Sequence, residues 1–161
     1  MSRTARGNER RVSSGCRSMM RWLTVCGWVL CAASAGLAQV LFSVDDLDKA
    51  MKAVGRNVAL ANTAIVSKDF EGAKVRVARA REQLSPTVSF WTNEKKADAV
   101  KLVKTATAKL DALDRALSAN PVDASAVGVA AMELDAACQA CHAVYREQDP
   151  ATKTFRLKRA P

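Results

Sequence analysis

Near the end of the chain, Cys138-Gln139-Ala140-Cys141-His142 sets two thiols and an imidazole side by side. Positions three apart share one face of a helix, so both thiols can reach the two vinyl groups of a single porphyrin and form thioethers. C-x-x-C-H is the attachment signature of a c-type haem. His142 follows the second anchor directly, which brings its ring under the iron as the proximal ligand. It is the sole histidine of the chain, so no other imidazole competes. Two rival chemistries fit less well. A redox C-x-x-C belongs at a helix N-terminus beside strands, whereas this pair follows an apolar helical run over 127–137 and no strand pattern is legible anywhere. A structural zinc site takes four ligands, and the motif offers three.

The elements that must hold the motif read as helices. Ser43 with Asp46 three residues on forms a capping-box pattern, and Asp45 and Asp48 complement the positive end of the dipole. Val44, Leu47, Met51, Val54, Val58, Ala61 and Ile65 then recur at alternating steps of three and four, the rhythm of a heptad seam. A second helix is expected over 69–84 on Phe70, Ala73, Val77, Ala80 and Leu84. Pro86 kinks or ends it, with Val88 and Trp91 continuing the same face. Thr92 or Asn93 is expected to cap a third helix on Val103, Ala106, Leu110, Leu113 and Leu117, whose Lys95, Lys96, Lys101, Lys104 and Lys109 read as a solvated surface. Asn120-Pro121 is expected to open the fourth, with Val127, Ala130, Leu134, Ala137, Cys141 and Val144 carrying the stripe through the motif. That helix is expected to fade near Asp149-Pro150, leaving 151–161 as a basic tail. Four such helices with short links predict an all-α, antiparallel four-helix bundle.

Composition bounds the setting. The chain has 161 residues with 25 Lys+Arg against 16 Asp+Glu, and residues 1–38 hold six of the arginines and one acid. The rest carries 19 basic and 15 acidic groups, a net charge of +4 instead of +9. With few aromatics and no basic-aromatic interleaving, a nucleic-acid role is excluded. Residues 1–38 read as a signal peptide: an arginine-rich segment, an apolar run over 22–35, and small residues at Gly36 and Ala38 before a cut ahead of Gln39. The run is shorter than the roughly 20 apolar residues of a membrane span, so no stable membrane insertion is expected after cleavage. Met19 or Met20 would give a more compact leader. Three of the five cysteines, Cys16, Cys26 and Cys31, fall in this leader, which leaves only the two anchors in the exported domain, 39–150. That arrangement predicts a periplasmic protein.

The ending Cys138-Gln139-Ala140-Cys141-His142-Ala143-Val144-Tyr145-Arg146 resembles the C-x-x-C-H-x-x-aromatic-Arg ending of the class II c-type cytochromes, the cytochrome c-prime and cytochrome c-556 family. The resemblance extends over most of 44–148, chiefly in pattern and length. It implies a four-helix bundle with one covalent haem c on the last helix, anchored by Cys138 and Cys141 and ligated by His142, with Tyr145 beside it. Arg146 would lie near the haem edge or the proximal ligand. Met51-Lys52-Ala53-Val54-Gly55 is similar to the M-K-x-x-G of the c-556 branch, whose methionine is the distal ligand, although Leu47 stands where an arginine is common in the family.

Two functions follow, divided by Met51. If its sulfur binds iron, the expectation is a carrier of single electrons between redox partner proteins, and no enzyme. If it only fills the core, as methionine readily does, a five-coordinate protein binding nitric oxide or carbon monoxide is expected. Met132, six residues before the first anchor on the same helix, is badly placed to reach the opposite haem face. A homodimer is a further expectation of the resemblance. A haem-free helical interaction module with free thiols is the remaining reading.

Overall fold

The computed structural model describes residues 42–158; the expected leader, its cleavage point, and Cys16, Cys26 and Cys31 lie outside them. Helix α1 (Val44–Val66) starts where its cap is made. Ser43 Oγ accepts from the Asp46 N–H at 3.1 Å, and Asp46 Oδ2 accepts from the Ser43 N–H at 3.1 Å, so two otherwise orphaned donors are satisfied reciprocally. Leu47, Ala50, Val54 and Ala61 are buried, while Met51, Val58 and Ile65 are half-buried along the edge of the seam. Val44, expected in that seam, is 56% exposed in the first turn.

Helix α2 (Phe70–Leu84) is capped by Asp69, whose Oδ1 accepts from the Gly72 N–H at 2.9 Å, and it buries Ala73, Val77, Ala80 and Leu84. Pro86 has no N–H to continue the ladder. The chain re-forms as a short α3 (Thr87–Asn93) that buries Thr87, Phe90 and Trp91. Thr92 and Asn93 are therefore part of α3 and cap nothing: the Thr92 hydroxyl donates to the Val88 carbonyl at 2.8 Å. Helix α4 (Ala97–Leu117) begins after Lys96, without a side-chain cap, and buries Ala99, Val103, Ala106, Leu110, Leu113 and Leu117. Lys101 and Lys104 on α4 and Lys95 before it are exposed, as expected of a solvated face, whereas Lys96 is half-buried at the cap position and Lys109 is half-buried in an ion pair. Helix α5 (Ala124–Tyr145) is capped by Asp123, whose carboxylate accepts from the Ser125 N–H at 2.8 Å. Asn120 and Pro121 lie in the preceding link, so the expected opening is displaced to the next capping residue.

The fold is predominantly α-helical, with four long helices. α1 packs on α2, α2 on α4 and α4 on α5, and α3 lies against α1, α2 and α4. α1 and α5 are the two ends of this chain of contacts and share no extensive packing. Ion pairs reinforce the packed seams: Arg81 with Asp111 joins α2 to α4, and Lys109 with Glu133 at 2.8 Å joins α4 to α5. Being exposed, each contributes at most about 1 kcal/mol. None of the described helices is long and apolar enough to cross a membrane.

The chain beyond α5 corrects two expectations, the end of the last helix and the absence of strands. The helix ends at Tyr145, short of Asp149-Pro150, and Arg146 turns extended (φ −120°, ψ 134°). A two-stranded antiparallel hairpin follows, β1 (Arg146–Gln148) with β2 (Phe155–Leu157), so strands are present. Residues 151–157 fold back through that hairpin, which straddles the division drawn from sequence at 150/151. Its turn is held by Asp149 Oδ1, which accepts from the Ala151 and Thr152 N–H groups at 2.9 Å each. Half-buried Leu157 and the Lys158 N–H, donating to the Tyr145 carbonyl at 2.9 Å, tie β2 to the end of α5.

Candidate functional site

α5 carries the motif because almost nothing on it is charged: between Ala124 and Tyr145 the only acids are Glu133 and Asp135, with no Lys or Arg. Such a helix must be covered on more than one side. Its first half is, with Val127, Ala130 and Leu134 buried against the core. Past Leu134 coverage thins. Ala137, Cys138, Cys141 and His142 are half-buried, and Val144, expected on the buried stripe, is 48% exposed.

Cys138 and Cys141 are both free and adjacent on one face. Burial, then the nearby Asp135 carboxylate, pushes the Cys138 thiol above its ordinary range. Burial, then Cys138 and Asp98, does the same to Cys141. Both are thus protonated near neutral pH. A dithiol redox pair works through a stabilised thiolate at a helix N-terminus, and this pair has the opposite electrostatics at the opposite helix end.

His142 is held as neutral imidazole. Burial, then the Arg146 guanidinium, moves its pKa below the ordinary value, against a smaller opposing effect of Asp135. Arg146 Nη1 lies 3.2 Å from His142 Nδ1. A guanidinium only donates, so Nδ1 accepts and the ring proton resides on Nε2. Arg146 is also stacked on Phe155, its guanidinium carbon 3.4 Å from the ring centroid. Ligation of a metal through Nε2 would move the ring proton to Nδ1 and require Arg146 to give up this hydrogen bond while remaining beside the ring.

Tyr145 closes the helix. Its hydroxyl donates to Asp98 Oδ2 at the start of α4, and its ring centroid is 4.7 Å from that of Trp91. Asp98 as acceptor, with burial, pushes the phenol up to about 12, and the same bond holds the Asp98 carboxyl below its usual range. Trp91 continues to Phe90 (5.0 Å) and Phe90 to Phe42 (6.5 Å), so a row of aromatic rings joins the end of α5 to the start of α1. Trp91 is 4% exposed, and its Nε1 is the one buried side-chain polar atom without a hydrogen-bond partner among the described residues. An unmade buried bond costs about 1–3 kcal/mol.

Cys138, Cys141, His142, Tyr145 and Arg146 are thus brought together, with Asp98 and Trp91. Met51 is not in this cluster. It lies half-buried on α1, packed against the core. Counted at 1.5 Å per residue from the ends joined by the aromatic row, Met51 in α1 and Cys138 in α5 each lie about 10 Å along their helices. Gly55, one turn past Met51, has open space where a Cβ would stand. Met132 is 74% exposed on α5.

The residues fit a covalently held haem in three respects. The anchors are free thiols on one face, the helix behind them loses its cover there, and an unpartnered donor is buried beside the motif's tyrosine. No group of three or more His, Cys, Asp or Glu side chains is arranged around a metal among the described residues, so what the motif offers a metal directly is one imidazole. Two shallow grooves, of about 670 and 520 Å3, lie between α1 and α2 and along α4, and neither includes a motif residue. Sequence reading missed Asp98, whose partner is 47 residues away, and Phe155. Comparisons with family models, characterised proteins and solved structures find no match to this chain.

Proposed function

We propose that the chain is an exported, periplasmic monohaem c-type cytochrome of the class II kind, a four-helix bundle that carries single electrons between redox partner proteins and is not an enzyme. The carrying observation is the free Cys138–Cys141 pair with neutral His142 on one face of α5, at the point where that helix loses its cover. In this reading haem c is held by thioethers to Cys138 and Cys141, by His142 Nε2 as proximal ligand and by Met51 as distal ligand. When bound, its iron supplies a one-electron couple, with a potential that thioether ligation raises.

The chain's own residues then have distinct tasks. The neutral imidazole of His142 is available as a ligand without first losing a charge. Trp91, Tyr145 and Phe90 keep water from that end of the site, and the buried Trp91 N–H can donate to a polar group of the cofactor. Met51 lies about as far along α1 from the aromatic row as Cys138 lies along α5, which supports distal ligation. The alternative, a five-coordinate protein that binds nitric oxide or carbon monoxide, is favoured by the half-buried setting of Met51, packed against the core on a helix that shares no extensive packing with α5.

The test is expression with a haem-attachment system, followed by mass measurement and optical and paramagnetic-resonance spectra in both oxidation states. One covalent haem and a low-spin ferric signal that becomes high-spin in Met51→Ala is the expected result. A high-spin wild type indifferent to that substitution replaces the carrier with the gas-binding reading. Two unmodified thiols after maturation would end both.

A further inference from the structure

Three side chains from three successive elements form a stack at the end of α5: His142, Arg146 and Phe155. Arg146 lies four residues beyond His142, past the end of α5, and its guanidinium is held from both sides, 3.2 Å from Nδ1 and 3.4 Å from the Phe155 centroid. The hairpin register explains the second contact. Arg146 is opposite Leu157 and Gln148 opposite Phe155, so Arg146 and Phe155 are diagonal neighbours on one face, within reach for long side chains.

A hairpin of three-residue strands is not stable by itself. This one is secured at both ends: by Leu157 and the Lys158 N–H at α5, and by Asp149 at the turn. On the face of the strands away from the stack, Arg156 pairs with Glu147 at 2.8 Å and Asp149 at 3.2 Å. Those two carboxylates therefore engage Arg156, leaving Arg146 between an aromatic face and an imidazole.

We propose that the C-terminal hairpin is a strut that keeps the Arg146 cation beside the proximal imidazole, with Phe155 as the positioning residue, and that it thereby raises the midpoint potential of the iron. The inference rests on the haem reading above. Reduction adds one electron from the partner to the iron and lowers the charge of the site by one, which a fixed cation nearby favours. The effect does not require the Arg146–Nδ1 hydrogen bond to survive ligation, because the aromatic face holds the guanidinium in place.

The test uses the haem-loaded protein in spectroelectrochemical titrations of wild type, Phe155→Ala, Arg146→Gln and the double variant. Both single variants are expected to lower the midpoint potential, and the double variant to lower it no further than Arg146→Gln alone, since residues acting through one contact are not additive. Phe155→Trp, which keeps a ring face, is expected to stay near wild type. An unchanged potential in Phe155→Ala or in Arg146→Gln overturns the inference, as does an additive double variant. If Phe155→Ala does not accumulate, Phe155→Leu removes the ring but keeps apolar bulk and is judged by the same outcomes. Protein that never acquires haem refutes the functional reading itself, a result distinct from an unchanged potential in a loaded variant.

Discussion

α4 and α5 carry apolar residues in the same rhythm of threes and fours, and they meet different fates. On α4 the stripe Val103, Ala106, Leu110, Leu113, Leu117 is buried along its whole length, because α2 covers one side and α5 the other. On α5 the stripe is buried at Val127, Ala130 and Leu134, then half-buried or exposed from Ala137 to Val144. The apolar character of the residues does not change at Leu134. What changes is the burial: past Leu134 no residue of α5 is fully buried. The Cys-x-x-Cys-His motif begins where the protein's own cover ends.

The strongest way to break this contrast is to withhold the cofactor. Cys138→Ser with Cys141→Ser should abolish covalent haem, and the second half of α5 should then stay uncovered. Because a group bound only by the folded state stabilises it, the thermal midpoint should fall by about 10 °C or more relative to the loaded protein. Circular dichroism melts of the two forms check this. Equal midpoints would mean that the open half of α5 is stable as it stands.

A smaller and more local effect separates the helices themselves. Leu110 is fully buried in α4, so Leu110→Ala should cost about 2–5 kcal/mol in chemical denaturation. Val144→Ala, at a half-exposed site past the anchors, should change the haem-free protein by no more than about 0.5 kcal/mol. Similar costs at both positions would contradict the picture of one helix covered throughout and the other only in part.

Much of this was legible in the sequence because it depends on local signals. The Ser43–Asp46 box marked the start of α1, and the three-four rhythm marked the buried faces of α2 and α4, save that Phe70 is only half-buried. The motif residues were identifiable because the C-x-x-C-H signature fixes residue type and spacing together. What was not legible depends on distant partners. Thr92 and Asn93 look like caps, but Pro86 allows a separate short helix that absorbs them. Asn120-Pro121 is a good helix opening by type, and so is Asp123 three residues later; only packing chooses between them. The hairpin's strands are too short to show a period, and Phe155 gains meaning only when it meets Arg146. The place of Met51 relative to His142 was out of reach for the same reason, since it depends on how α1 and α5 are arranged in the fold.

The gentlest probe concerns the far end of α5, where Tyr145 pins the open half of the helix to α4. The chain has one tyrosine, so the carbon-13 signal of its phenol ring reads that contact alone. Donation to Asp98 favours the neutral phenol and raises its pKa to about 12, from the usual value of about 10. For a group whose folded pKa is raised, the stabilisation is fully present below the unfolded value and is lost as pH climbs through the folded one. The contact should therefore be intact below about pH 10 and disappear toward pH 12. At the acid end the sign reverses: Asp98, held below its usual range by the Tyr145 hydroxyl, favours the folded form above that range and loses the contribution as pH falls. Asp98→Asn keeps an acceptor oxygen but removes its charge, so the phenol should titrate nearer 10. A Tyr145 that already titrates at 10 in the wild type would show that the end of α5 is not pinned. The uncovered half of the helix would then be free at its terminus as well as along its side, and the contrast with α4 would be larger than the static packing implies.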